Sequence, residues 1–492
     1  MTLGESIRRN SLWVLSGSMG GRVIDFVVGI ILARLLLPED FGLFVTVGIL
    51  TGVLGFIAAG GMGEALVRAK EIDERDAQVV FTMQLLSCIL IFLALQWIAP
   101  YFAIWFDDPL YETLLRVSAI NFLLRPFVNI PSVLLRREMR FKALSLRALI
   151  VNVFGSLISI LLALLGFGVW SLLLSGLAAV LLNIAVLIKL TGWRPRLALD
   201  WNRVKQFGGI GVRFTVNDLI VYLRTRTSMA LLSYQLGPRE VGLFNKADSL
   251  AEMPAQLLSG AAYQTLFRAL SAEQDNLDRS AYLFLRTLTM VCLYALPIYI
   301  GLIWIADSFV VTLYGENWAA AALPLQILAT AGFFRILANL SGAVAAAQNR
   351  LGAEIVIQFE NWGLLLIGCL IGLQWGTLGV AIGILPSFWH IAWRMYRLAA
   401  SALNIKPRDL GRALLPVIPG NSALLLTLIL THQILIGHGL EQDQGLYLLS
   451  MICCGGVVYG GWLLFLPHPS LKAEAARWRQ FIPNLASARN RS

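Results

Sequence analysis

Residues 35–44 read LLLPEDFGLF, and residues 235–244 read QLGPREVGLF. The pattern Pro-x-x-x-Gly-Leu-Phe therefore recurs at a spacing of 200 residues, each time directly after a long apolar run. The same spacing also aligns Arg68 with Arg268 without a gap. Scattered leucine matches arise by chance in apolar sequence, but a turn motif kept in register does not. The repeat predicts a fold that is built twice from one unit.

The composition is that of a polytopic membrane protein. Of the 492 residues, 58% are hydrophobic and 14% are charged, and the mean hydropathy is +0.72. Soluble domains carry about 25% charged residues, so too little polar sequence remains here to coat several of them. The net charge of +10 comes from Lys and Arg clusters between apolar segments, as membrane topology requires. We therefore expect no nucleic-acid partner.

Apolar runs of about 20 residues, the length that spans a bilayer, predict fourteen transmembrane helices. The predicted spans are 12–36, 42–66, 78–100, 112–135, 145–165, 169–190, 208–236, 241–267, 282–306, 319–346, 351–373, 377–398, 411–431 and 445–466. Lys and Arg concentrate in alternate connections, which predicts that both termini face the cytoplasm. Both copies of the repeated turn then lie at the outer face, as tight links between helices.

The repeat groups the first twelve spans into two six-helix lobes. Six is even, so the lobes are parallel and related by a pseudo-two-fold axis along the membrane normal. The predicted domains are 1–200 and 201–404 for the lobes, 405–467 for two more spans, and 468–492 for a basic amphipathic tail. Paired bundles are typical of transporters that work by alternating access. A duplicated channel or scaffold is the alternative.

Ionisable side chains lie inside the predicted spans, where they are costly unless they face water or a partner. The candidate substrate-binding residues are Arg22, Asp25, Arg34, Arg125, Arg213, Asp218, Arg224, Arg226, Lys246 and Arg335. The candidate ion-coupling carboxylates are Asp25, Asp218, Asp248 and Glu360. Cations exceed anions, and guanidinium groups are permanently charged bidentate donors, so the set suits a polyanion such as a diphosphate. The alternative is internal pairing, for example of Arg22 with Asp25 or Lys246 with Asp248.

Three stretches carry a family resemblance: GRVIDFVVGIILARLLLPEDFGLF at 21–44, ALVRAKEID at 65–73 and RREMRFKAL at 136–144. They resemble the oligosaccharide flippases, Wzx-type polysaccharide exporters of the multidrug/oligosaccharidyl-lipid/polysaccharide exporter superfamily, and colanic-acid-type exporters in particular. The resemblance is sharpest over residues 1–200. In helix count and repeat layout it covers the whole chain.

The resemblance implies two lobes around a lipid-accessible cationic cavity in the bacterial inner membrane. It implies transport of an undecaprenyl-diphosphate-linked oligosaccharide repeat unit to the outer leaflet, for exopolysaccharide, capsule or O-antigen assembly. An ion gradient or the membrane potential would drive the transport, without a cofactor or metal. Membrane lipid, a polysaccharide polymerase and glycosyltransferases of the same pathway are the implied partners.

Other functions make different demands on the sequence. An ion-coupled multidrug exporter of the same fold should have an acidic and aromatic cavity rather than surplus arginine. A lipid II flippase is a nearer alternative, which the sequence excludes less well. An enzyme is not expected, because the connections between spans are too short to hold an aqueous active site.

Overall fold

The computed structural model describes residues 20–69, 72–440 and 443–480, and over these residues the chain is helical without strands. The chain forms two compact units, Met1–Asn245 and Lys246–Ser492. The helices that lie wholly in the first unit are α1 (20–35), α2 (Pro38–Ala59), α3 (Met62–Arg68), α4 (Glu74–Phe106), α5 (Leu110–Arg137), α6 (Phe141–Leu164), α7 (Val169–Thr191) and α8 (Trp201–Leu236).

The boundary between the units falls within α9 (Pro238–Ala272). The later helices are α10 (Leu277–Tyr314), α11 (Ala322–Ala329), α12 (Gly332–Ala347), α13 (Leu351–Gly372), α14 (Gly376–Gly383), α15 (Leu385–Leu403), α16 (Pro407–Leu414), α17 (Ile418–Gly437), α18 (Gln444–Phe465) and α19 (Lys472–Gln480). The lobe boundaries of 1–200 and 201–404 stay a prediction.

Within the described residues, nine helical stretches are long and apolar enough to cross a membrane. A tenth is added if α11 and α12, which are bent by 52° against each other, form one span. Helices α8 and α9 are not among them, because several charges interrupt their apolar sequence. The all-helical, multi-pass membrane fold is confirmed, and the number of fourteen helices in two lobes stays a prediction.

One of the nine stretches, Leu351–Leu403, is a hairpin rather than a single helix. A Cβ atom on Gly368 would overlap the backbone of Gly383, and one on Gly372 would overlap the backbone of Gly379. These paired contacts mean that α14 runs back along α13. The stretch therefore contains the two predicted spans 351–373 and 377–398.

Each copy of the repeated turn starts a helix at its proline. Pro38 is the first residue of α2, and Pro238 is the first residue of α9. Proline suits this position because the first helical N–H has no intrahelical partner. In the first copy, the carboxylate of Asp40 accepts the backbone N–H of Leu37 (3.0 Å) and caps the helix.

The two copies of the turn also pack against each other. A Cβ atom on Gly42 would overlap the carbonyl group of Pro238, and a Cβ atom on Gly242 would overlap the carbonyl group of Pro38. The contact is reciprocal, as expected of two equivalent surfaces that meet across a pseudo-two-fold axis. Glycine is therefore required at both positions by close backbone approach.

A second pair of equivalent connections lies 210 residues apart, after α5 and after α12. Met139 and Asn349 both adopt the left-handed conformation, each with a φ of 54°. The next residues, Arg140 and Arg350, each donate their backbone N–H to the carbonyl five residues earlier (3.0 and 2.8 Å). The two connections thus share one backbone geometry.

The start of α8 is held to the start of α4 by a charge cluster. Arg203 Nη1 lies 2.6 Å from Asp73 Oδ1 and also binds the carboxylate of Asp76. The hydrogen bond from Arg203, followed by the backbone N–H of Asp76, lowers the pKa of the Asp73 carboxyl to about 2. The Asp73 carboxylate therefore stays ionised and bound to Arg203 throughout the physiological pH range.

The described part of the tail is amphipathic. Leu471 and Ala475 are buried, whereas Arg477 is exposed. Tyr294 on α10 donates its hydroxyl to the carboxylate of Glu474 (2.7 Å), which fixes α19 against the second unit. Residues 481–492 lie outside the described part of the chain.

Candidate functional site

A cavity of about 270 Å³ lies in the first unit between α2, α5 and α7. Four polar side chains line it: Thr51, Ser118, Asn121 and Arg125. The rest of the lining is apolar or glycine: Phe44, Val47, Gly48, Gly52, Leu114, Phe122, Val169 and Leu173. The cavity thus joins one permanent cation to three neutral hydrogen-bonding groups in an otherwise apolar wall.

The Arg125 guanidinium fills the space that a Cβ atom on Gly55 would need. Arg125 has no hydrogen bond or ion pair with any of the described residues. A cation at membrane depth without a counter-ion is unfavourable, and an anion that enters the cavity would relieve this. The geometry therefore favours an anion-binding role for Arg125.

Helix α8 contacts two of the lining residues, Gly48 and Gly52, through Tyr222. The hydroxyl of Tyr222 donates to the carbonyl of Gly48 (2.9 Å) and occupies the space that a Cβ atom on Gly52 would need. The guanidinium of Arg226 lies 5.8 Å from the centre of the Tyr222 ring. Arg224, also on α8, is half-buried and has an interaction partner, so we do not count it as a free cation. The side chains of two other predicted site residues on α8 lie outside the described part of the chain: Arg213 and Asp218.

The predicted site residues on α1 do not line the cavity. Arg22, Asp25 and Arg34 are exposed side chains of α1. Asp25 Oδ1 accepts a hydrogen bond from the side-chain amide of Asn152 on α6 (2.9 Å), rather than pairing with Arg22. Of the predicted site residues whose side chains are described, Arg125 is therefore the one that lines the cavity.

In the second unit, Arg335 on α12 is neutralised. Its Nη2 lies 2.7 Å from Asp248 Oδ1 on α9, and the two side chains are only 12% and 23% exposed. The Arg335 guanidinium also lies 4.2 Å from the centre of the Phe388 ring, at cation–π distance. Arg335 and Asp248 therefore form a largely buried ion pair, and neither is a free charge.

Two other charges of the second unit also have protein partners. Lys246 Nζ lies 4.7 Å from the centre of the Tyr314 ring and 5.3 Å from the centre of the Trp318 ring, so it does not pair with Asp248. Glu360 lies 2.7 Å from Arg394 Nη1 on α15. The structure thus assigns these two predicted site residues to internal contacts.

The two arginines Arg125 and Arg335 are equivalent in the repeat. They are 210 residues apart, the spacing of the connections that follow their helices. The partner of Arg335, Asp248, corresponds to Gly48 at the spacing of 200 residues. Gly48 lines the Arg125 cavity, and no atom lies within 4 Å of where its Cβ atom would be. The cavity therefore occupies the place that a carboxylate takes in the second copy.

A multi-pass helical bundle with a polar cavity between its helices is typical of membrane transporters. Residues 31–323, more than half of the chain, match the family described as polysaccharide biosynthesis protein. The chain belongs to this family.

Several relatives carry names from polysaccharide biosynthesis. The succinoglycan biosynthesis transport protein ExoT of Rhizobium meliloti (strain 1021) is 26% identical over 325 residues, 66% of either chain. The teichuronic acid biosynthesis protein TuaB of Bacillus subtilis (strain 168) is 26% identical over 63% of this chain and 64% of its own. The lipopolysaccharide biosynthesis protein WzxC of Escherichia coli (strain K12) is 23% identical over 78% of this chain and 79% of its own. The chain matches just under two thirds of the lengths of ExoT and TuaB.

Solved structures show the same fold. The lipid II flippase MurJ in an inward closed conformation has a TM-score of 0.75 and 14% identity, over 91% of this chain and 97% of its own. An inward-facing multidrug resistance MATE family transporter of the MOP superfamily has a TM-score of 0.59 and 19% identity, over 79% of this chain and 96% of its own. Both likenesses agree with the all-helical, multi-pass membrane fold described above.

Proposed function

We propose that this protein is a flippase that moves an undecaprenyl-diphosphate-linked oligosaccharide from the inner to the outer leaflet of the bacterial inner membrane. The transport proceeds by alternating access, with both termini in the cytoplasm. The repeat unit then passes to a polymerase for assembly of a surface polysaccharide. Membership of the polysaccharide biosynthesis family and the transport role named for ExoT support this proposal.

The observation that carries the proposal is Arg125, which lines its cavity without an ion-pair partner among the described residues. A cavity of about 270 Å³ is below the usual range for sites that enclose a drug-sized ligand, and it is too small for an oligosaccharide. It can hold a small anionic group, with Thr51, Ser118 and Asn121 as further hydrogen-bonding partners. We assign it to a phosphate of the lipid diphosphate, because guanidinium binds phosphate oxygens in a bidentate manner.

We also propose that an ion gradient or the membrane potential drives transport, and that Asp25 is the coupling carboxylate best placed among those described. Asp248 and Glu360 are each engaged by an arginine. Asp25 is exposed and binds the neutral amide of Asn152, so it can bind a coupling ion without breaking an ion pair with an arginine.

The proposal is tested by expressing Arg125→Gln in a host whose own exporter gene is deleted. We expect loss of surface polysaccharide and accumulation of the lipid-linked repeat unit in the membrane, with normal protein levels. Arg116→Gln is the matched control, since Arg116 lies on the same helix but is exposed and paired with Glu112 (2.8 Å). That control should export normally.

The alternative functions predict different results. Normal surface polysaccharide in the host that expresses Arg125→Gln would contradict the proposal. If the wild-type protein instead restores growth to a strain depleted of its lipid II flippase, and does not restore polysaccharide export, it is a lipid II flippase. If its expression only lowers drug accumulation in the host, it is a drug exporter.

A further inference from the structure

A second polar groove of the first unit lies between α1, α6 and α7 and has a volume of about 380 Å³. Polar side chains line it on both long helices: Arg147, Asn152, Ser156 and Ser159 on α6, and Ser175 and Asn183 on α7. It shares no lining residue with the Arg125 cavity. The groove is therefore a separate polar site in the same unit, and neither sequence pattern nor repeat singled it out.

One hydroxyl group in this groove has no partner. Ser159 is 5% exposed, and its Oγ forms no hydrogen bond with the described residues. A helical serine usually bonds to a backbone carbonyl one turn earlier, as Ser175 does with Leu172 (3.1 Å). An unpaired buried hydroxyl is unfavourable, so the side chain of Ser159 is suited to bind a polar group that enters the groove.

At the other end of the groove, Arg147 carries a charge that no carboxylate neutralises among the described residues. Its Nη1 donates to Asn183 Oδ1 (3.0 Å) and to Ser132 Oγ (3.3 Å), which are both neutral, and its buried Nε has no partner. The Arg147 end of the groove is therefore suited to an anion that accepts hydrogen bonds.

The middle of the groove has the opposite preference. The Asn152 amide is engaged by the Asp25 carboxylate (2.9 Å), which repels an anion but accepts hydrogen bonds from hydroxyl groups. Arg147 and Asn152 are about 7–8 Å apart along the helix axis, at about 1.5 Å of rise per residue. This distance suits a phosphate joined to a short hydroxylated group.

We propose that this groove binds a glycerophospholipid, with the lipid phosphate at Arg147 and a hydroxyl group of its headgroup at Asn152. A glycerophospholipid with a hydroxylated headgroup supplies both groups, whereas a polyprenyl phosphate has no headgroup hydroxyl. The site is separate from the Arg125 cavity, so it does not rest on the proposed transport function.

The test uses the full chain in phosphatidylcholine nanodiscs with one of three additions: phosphatidylglycerol, a polyprenyl phosphate, or inorganic phosphate in the buffer. Ligand that stays bound is measured by native mass spectrometry. We expect retention in the phosphatidylglycerol arm, and retention in the polyprenyl phosphate arm alone would overturn the proposal. Arg147→Gln should lower retention of phosphatidylglycerol by about tenfold and Asn152→Ala by about fivefold, as expected for a charged and a neutral hydrogen bond.

Two further variants keep the test decisive. Gly176 has no atom within 4 Å of a Cβ position, so Gly176→Leu should fill the groove and abolish retention even if Arg147→Gln does not fold. Lys189→Gln removes an exposed cation from α7 outside the groove and should bind lipid like the wild type.

The proposal is overturned if Arg147→Gln and Gly176→Leu retain lipid normally, or if Lys189→Gln loses as much as Arg147→Gln. The proposal is also overturned if the retained ligand depends on Arg147 only in the arm with inorganic phosphate, since that result would show an adventitious ion only.

Discussion

Arg125 in the first unit and Arg335 in the second occupy equivalent positions of the repeat, but their surroundings differ. Arg335 is 2.7 Å from the carboxylate of Asp248, whereas Gly48 stands at the corresponding position in the first copy. Among the described residues, the first copy therefore has a cavity and a cation without a counter-ion where the second has a buried ion pair. We propose that the arginine binds ligand in the first copy, whereas in the second copy it pairs with the carboxylate at position 248.

The comparison has an energetic consequence. Removing one partner of a buried ion pair leaves an uncompensated charge and is strongly destabilising, whereas removing an unpaired buried cation is not. The second unit should therefore lose stability when its arginine or aspartate is changed. The first unit should lose function instead.

The largest expected effect on stability is that of Asp248→Asn. This change leaves Arg335 without its counter-ion and should lower the free energy of unfolding by about 3 kcal/mol. Chemical denaturation of the purified protein in detergent measures it. Arg125→Gln, the matched change in the first unit, should leave the free energy of unfolding unaltered or raise it.

A double variant separates the charge from the shape of the site. Asp248→Asn combined with Arg335→Gln removes both charges, so it should be more stable than Asp248→Asn alone. If the free energy of unfolding of Asp248→Asn equals that of the wild type, the ion pair contributes nothing to stability, and the proposed difference between the two arginines is wrong.

A smaller effect is expected at Phe388, whose ring lies 4.2 Å from the Arg335 guanidinium. The change Phe388→Leu should reduce stability by about 1 kcal/mol through loss of the cation–π contact. The coupling energy between Phe388→Leu and Arg335→Gln in a double-mutant cycle measures this contact directly. Strictly additive effects would mean that the ring does no more than fill space.

Much of the fold could be predicted from sequence, because the apolar runs and the repeated turn are visible in the order of the residues alone. The turn at Pro38 and its copy at Pro238 start helices as expected. The predicted span 42–66, however, is divided by Gly60 and Gly61, which both adopt the left-handed conformation between α2 and α3. The corresponding Gly260 lies inside the continuous helix α9, so glycine in the sequence does not by itself tell whether a helix breaks.

The site was less predictable, because the partner of each charge depends on how helices pack. The sequence suggested Lys246 as a partner for Asp248, but Asp248 binds Arg335 on another helix. Arg147 lies at the start of the predicted span 145–165 and is not among the candidate site residues, although its side chain lines a groove between α6 and α7. The one readable signal was the spacing of 210 residues, which relates Arg125 to Arg335.

The most direct test of the account compares polysaccharide export by Gly48→Asp and Gly48→Asn, two variants of nearly equal size. Gly48 lines the cavity, and a side chain there meets no atom within 4 Å of its Cβ. The aspartate should recreate the arrangement of the second unit, neutralise Arg125 and lower export by at least about tenfold relative to the asparagine. Equal export by the two variants would contradict the claim that the charge of Arg125 makes this cavity functional.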